Sequence, residues 1–134
     1  MKFDGNASFG RGNQLVCNGE LKIGKNFSMN AGCILNASKR IHIGDDFLAG
    51  WGVEIIDGDG HRVLSEVDHR ELPDVLNIGN HVWCAKHVTI LKGAVLQSDS
   101  VCAANAVITR EFDESNLLIG GTNKILKRNI NWER

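Results

Sequence analysis

The segment Asp57-Gly58-Asp59-Gly60-His61 sets two carboxylates and an imidazole at two-residue steps. In extended chain such residues project to the same side. Histidine titrates close to neutral pH, so it can take a proton from a poor nucleophile such as an alcohol. A carboxylate beside it can orient the ring or stabilise its protonated form. His61, with Asp59 and Asp57, is therefore the first candidate for general-base chemistry. The competing reading is a loop histidine among solvated acids.

The other chemistry-bearing residues are less pointed. Cys17, Cys33, Cys84 and Cys102 lack the close CxxC pairing of a zinc or redox site. The N-terminus, MKFDGNASFG, has no apolar stretch like that of a secretory signal. Free thiols and a cytoplasmic location are the expectation, and no metal is expected. The net charge of −1 gives no global reason to expect nucleic acid as a partner. No apolar run approaches the roughly 20 residues of a membrane span. Glycine at 15, proline at 1 and no tyrosine suit many short strands with tight turns.

The elements that must position these residues are set by a repeat. From Ile78 the chain reads IGNHVW, CAKHVT, ILKGAV, LQSDSV, CAANAV. Ile78, Cys84, Ile90, Leu96, Cys102 and Ile108 recur at every sixth place, and a small or branched residue follows four places later. Earlier in the chain the step is twenty residues: Phe3, Ile23 and Ile43; Phe9, Met29 and Ala49; Leu15, Leu35 and Ile55. Leu21, Ile41 and His61 fall on the same step, which puts a histidine in an aliphatic row. A hexad fits one short strand and a corner, and three of them close a triangular coil. The reading is one all-β domain over 1–134, a parallel β-helix of about five coils beginning near 3, 23, 43, 78 and 96. Residues 61–77 should project as a long loop, and 114–134 form a tail ending in a short basic helix. The first coil starts almost at Met1 and should leave an exposed strand edge. Cys33, Cys84 and Cys102 fall on inward positions and should pack in the core, with Cys17 less defined. His81 and His87, six apart, take equivalent places on different sides and cannot share one metal within a chain. With His42 and His69 they read as surface or interface residues.

The stretch IGNHVWCAKHVTILKGAVL is close to IGDNVWIGANVTILKGVTIG, VCAANAVITREF to VIGAGSVVTKD, and LLIGGTNKILKRNINWE to VAGNPAKVIKKNISWE. Those are motifs of the hexapeptide-repeat acyltransferases, and the chain resembles their sugar O-acetyltransferase branch over nearly its whole length. EIIDGDGH matches the segment where related polysaccharide enzymes carry Asp-x-Asp-x-His. The resemblance implies a left-handed helix, although parallel crossovers otherwise favour the right hand. It also implies acetyl-CoA as cosubstrate, a homotrimer with each site between two subunits, and a glycan or other small acceptor. Two departures touch the CoA groove: Gly120-Gly121-Thr122-Asn123-Lys124 lacks the family's proline, and Cys102-Ala103-Ala104-Asn105-Ala106 is less glycine-rich.

The resemblance places Trp83 near the thioester, Asn30 on the acceptor, and Ala85 and Ala104 along the pantetheine arm. Trp83 also fits aromatic packing between subunits, and Asn30 a corner that tolerates left-handed φ. Lys124, Lys127 and Arg128, with Arg110, could hold the CoA phosphates; a solvated basic face is the alternative. The expected chemistry is direct attack of an acceptor hydroxyl on the thioester, with His61 as base and a backbone N–H near Ala85 for the oxyanion. An amino-sugar N-acetyltransferase shares this mechanism. A carbonic anhydrase-like protein would bind zinc and no CoA, and a trimeric scaffold would bind neither. Trp51 and Trp132 have no assigned role.

Overall fold

A hexad gives each side of a coil one large inward side chain and one small one near the corner, so stacked coils bury continuous rows. The computed structural model describes residues 1–62, 64 and 75–134, and its regular elements are all strands. They form three sheets wrapped into one solenoid. The first face carries Lys2–Phe3, Glu20–Ile23, Arg40–Ile43, Leu76–Ile78 and Val95–Leu96. The second carries Ala7–Phe9, Phe27–Met29, Leu48–Ala49, Trp83–Cys84, Val101–Cys102 and Leu118–Gly120. The third carries Gln14–Cys17, Ile34–Ala37, Glu54–Ile56, Thr89–Leu91 and Val107–Ile108. Neighbouring strands of successive coils are parallel, and the arrangement of about five coils matches a left-handed β-helix.

The registers follow the sequence steps. Phe3 pairs with Ile23, Ile23 with Ile43, Ile43 with Ile78, and Ile78 with Leu96. All six hexad positions from Ile78 to Ile108 are buried. Cys33, Cys84 and Cys102 are buried in the same core, and Cys17 is partly so. At the first–second corner Phe27 and Phe47 stack at 5.4 Å. The first coil is the edge of all three sheets, and Phe9 is exposed there.

Corners need a residue in the left-handed region, which asparagine, aspartate and glycine reach at low cost. Asn26, Asp46, His81, Asp99 and Asn116 fill it at the first–second corner, and His87 and Asn105 at the second–third. His81 and His87 thus occupy equivalent turns on different corners, as their spacing predicts.

Three expectations need correction. The row of Leu21 and Ile41 continues to Leu76, which pairs with Ile41 and is buried, and not to His61. His61 is exposed and lies outside the coil. The excursion begins after Ile56 and ends at Leu76, so residues 76–77 belong to the first face and not to a loop. Finally, the tail is not a helix. Lys124–Lys127 is a strand antiparallel to Leu118–Gly120, bounded by Asn123 and Asn129, both at positive φ. The segment between those asparagines is too short to sustain a helix.

Candidate active site

The chain leaves the third face after Ile56, so the parity that aligned the acidic residues with His61 ends there. Asp57 turns inward and is 5% exposed. Its carboxylate accepts from the amides of Ser38 (2.6 Å), Lys39 (2.9 Å) and Arg40 (2.7 Å). These are the corner amides of the preceding coil, so the shared side expected for Asp57, Asp59 and His61 does not form. Asp59 is exposed and ion-paired with Lys92 of the next coil. His61 is exposed and lies on the excursion that joins the third face to the first. His69 lies outside the described residues.

A groove of about 360 Å³ runs over the outer surface of the second face. Asn30, Trp83 and Ala85, to which the family resemblance gave acceptor and cosubstrate roles, meet in it. Its walls also include Trp51, Lys86 and Trp132, so all three tryptophans of the chain line one groove. Trp51 and Trp132 had no role in the sequence reading. Trp132 comes from the tail, which runs back along the first–second corner. Ile130 N–H donates to Asn116 O (3.0 Å), Trp132 Nε1–H to His81 O (2.9 Å), and Arg134 Nη2 to Asn26 O (3.3 Å). The Trp132 ring stacks on His81 at 4.0 Å, and His81 Nδ1 lies 2.9 Å from Asp99 Oδ1. Only tertiary contact across fifty residues reveals this wall.

The three corners differ in their amides. At the first–second corner the leading amides are taken by side chains of the next coil: Lys25 by Asp45, Asp45 by Asn80, and Asn80 by Ser98. Asp57 closes one third–first corner. At the second–third corner the amides of Ala31, Trp51, Lys86 and Ala104 have no acceptor among the described residues. Trp51 and Lys86 of this row line the groove. The Ala85 amide is not available, because it donates to Cys102 O (2.9 Å). The next amide along the chain, that of Lys86, is one of the open ones. Gly50 keeps that amide open, since a Cβ there would sit 3.0 Å from Lys86 N.

The amide row ends at the 121–123 turn, where Lys124 pairs with Gly120. Arg110 reaches the same turn, donating to Asn123 O (3.4 Å), with its guanidinium 3.9 Å from the Phe112 ring centre. Lys127 is farther along the strand, opposite Leu118. Arg128 is ion-paired with Glu114 at 3.3 Å. His42 is 2.7 Å from Glu20, and that hydrogen bond is the main cause holding the Glu20 carboxyl below its ordinary range. Burial pushes the Cys33 thiol up, and the hydrogen bond with Cys102, together with burial, raises Cys84. Among the described residues no three histidines, cysteines or acids cluster as metal ligands. Nor is any helix there long and apolar enough to cross a membrane.

No family model matches the chain. It is 26% identical over 116 residues to a polysialic acid O-acetyltransferase of Escherichia coli O1:K1 / APEC, covering 84% of the chain and 38% of that protein. It is 25% identical over 126 residues to the galactoside O-acetyltransferase of Escherichia coli K12, covering 78% of the chain and 62% of that protein. The chain thus spans less than two thirds of these relatives. A maltose O-acetyltransferase structure from Clostridium difficile 630 superposes with a TM-score of 0.74 at 22% identity, over 94% of this chain and 70% of that one. The resemblance read from the repeats holds: the relatives include polysialic acid and galactoside O-acetyltransferases, and the fold is that of the maltose O-acetyltransferase structure.

Proposed function

We propose that the chain transfers an acetyl group from acetyl-CoA to a hydroxyl of a sugar or polysaccharide, at a site completed between subunits of a homotrimer. The observation that carries this reading is the separation of its parts. His61 leaves the prism at the third–first corner, opposite the second face that holds the groove. His61 is not among the residues that line the groove of its own copy, and a neighbour packed around a threefold axis would supply one. The relatives' named acceptors are all carbohydrates, which supports a sugar hydroxyl.

In this mechanism His61 removes the acceptor hydroxyl proton as the oxygen attacks the thioester carbonyl. The tetrahedral oxyanion accepts from the Lys86 amide. Collapse breaks the carbon–sulfur bond, and the imidazolium returns its proton to the departing CoA thiolate. Asp59, anchored by Lys92, is the carboxylate left to orient the ring, because Asp57 is engaged in the corner. Asn30 positions the acceptor, and Trp83 packs beside the thioester. The open corner amides, with Ala85 and Ala104 leaving close approach, suit the carbonyls of the pantetheine arm. Lys124 and Arg110 are placed at the end of that row for the CoA phosphates, with Lys127 and Arg128 peripheral.

The test is labelled acetyl transfer to a glycan panel by the wild type, His61→Ala and His61→Asn. Both variants should lose at least about 10²-fold, the usual contribution of a general base. Retention of more than about a tenth of the wild-type rate by His61→Ala would place the base elsewhere.

A further inference from the structure

The aromatic groove has a neighbour on the same face. A second groove of about 560 Å³ continues over the second face toward the first coil, and Arg134 lines both. The register explains the continuity. Ser8, Ser28, Leu48 and Trp83 are paired in one row running across the strands. Along it the outward surface changes from hydroxyl to aliphatic to aromatic. Three inter-coil steps separate Ser8 from Trp83, about 14 Å at strand spacing, which is longer than one sugar ring. The second groove is lined with hydrogen-bonding groups, among them Asn6, Ser8, Ser28 and Asp46. Asn26 Nδ2 already donates to Asp46 Oδ1 (3.0 Å). The hydroxyls of Ser8 and Ser28 have no partner among the described residues.

We infer that this row is one extended acceptor channel, with an aromatic subsite at Trp83 and a second, polar subsite at Ser8 and Ser28. Its ligand is a hydroxyl-rich oligosaccharide with two or more residues, not a monosaccharide. This rests on the carbohydrate reading above. The acetylated residue lies against the tryptophans, where the apolar face of a sugar ring can pack. The next residues extend toward the first coil, where hydroxyls meet the free serines. Arg134, held to Asn26 O (3.3 Å) and Phe47 O (3.5 Å), marks the passage between the two.

Because every tryptophan lines the groove, intrinsic fluorescence reports occupancy without requiring turnover. The full chain is titrated with maltose-series and sialic acid oligomers of increasing length, in parallel with labelled acetyl transfer. Affinity should rise about tenfold or more from the shortest oligomer to those that reach the serines. Ser28→Phe and Ser8→Phe, both outward on the sheet and adding no tryptophan, should abolish that gain and leave binding and acetylation of the shortest acceptor unchanged. Short acceptors that bind and are acetylated with no gain from length would overturn the second subsite alone. Transfer to no carbohydrate, with no fluorescence response, would overturn the carbohydrate reading together with it. A length gain that survives both phenylalanine variants would place the additional contacts elsewhere.

Discussion

Asp57 and Asp59 are chemically identical and two residues apart, yet their surroundings give them different work. Asp57 gathers three backbone amides at a corner. Removing the carboxylate strands those donors, so Asp57→Ala should cost about 2 kcal/mol or more of stability. Asp59→Asn should leave the melting temperature nearly unchanged and lower turnover, by less than His61→Ala. Thermal melts beside acetyl-transfer rates separate the two roles; a stable but inactive Asp57→Ala would return that residue to catalysis. The sequence made His61 a candidate through residue type and spacing, but the inference of a shared face assumed extended chain beyond Ile56. The strand ends there, and the alternation ends with it. The thiols are a second case. Cys33, Cys84 and Cys102 occupy inward positions and are buried, out of reach of a reagent, and burial also raises the thiols of Cys33 and Cys84. A thiol reagent should therefore modify Cys17 alone in the native protein, and all four after denaturation. Rapid native labelling of Cys84 would mean that the hexad core opens.

Among the elements, the strands were the most legible. Their phase is fixed by one inward residue per side, so Ile78 over Leu96 and Cys84 over Cys102 could be read without a structure. The tail was not legible in this way. Lys124–Lys127 carries too few residues for its period to distinguish strand from helix, and its end is decided by Trp132 meeting His81 far away in sequence. The distinct chemistry of the three corners was also hidden, since it depends on which side chain of the next coil reaches back. The second–third corner has open amides and Lys124 at its end. Lys124→Ala should therefore weaken CoA binding several-fold, with a smaller effect on dephospho-CoA, and Lys127→Ala should weaken it less. Calorimetry at two salt concentrations checks this, because an exposed charge contact is screened by salt. Equal losses for both ligands would mean that the turn does not read the 3′-phosphate.

At the scale of the whole molecule, the prism geometry separates His61, the proposed base, from the groove. Within one chain they lie at a corner and on the face opposite it. A sequence places both on one string and says nothing of this separation, so the proposal of a neighbour that supplies the base rests on topology. The direct test is complementation between two disabled chains. His61→Ala keeps the groove, and Asn30→Ala combined with Trp83→Ala keeps the base. Each should be inactive alone. After the two are unfolded together in equal amounts and refolded, mixed trimers contain one intact junction in three, and about a quarter of the wild-type acetyl-transfer rate should return. Mixed oligomers that form and remain as inactive as their parents would contradict a site shared between subunits.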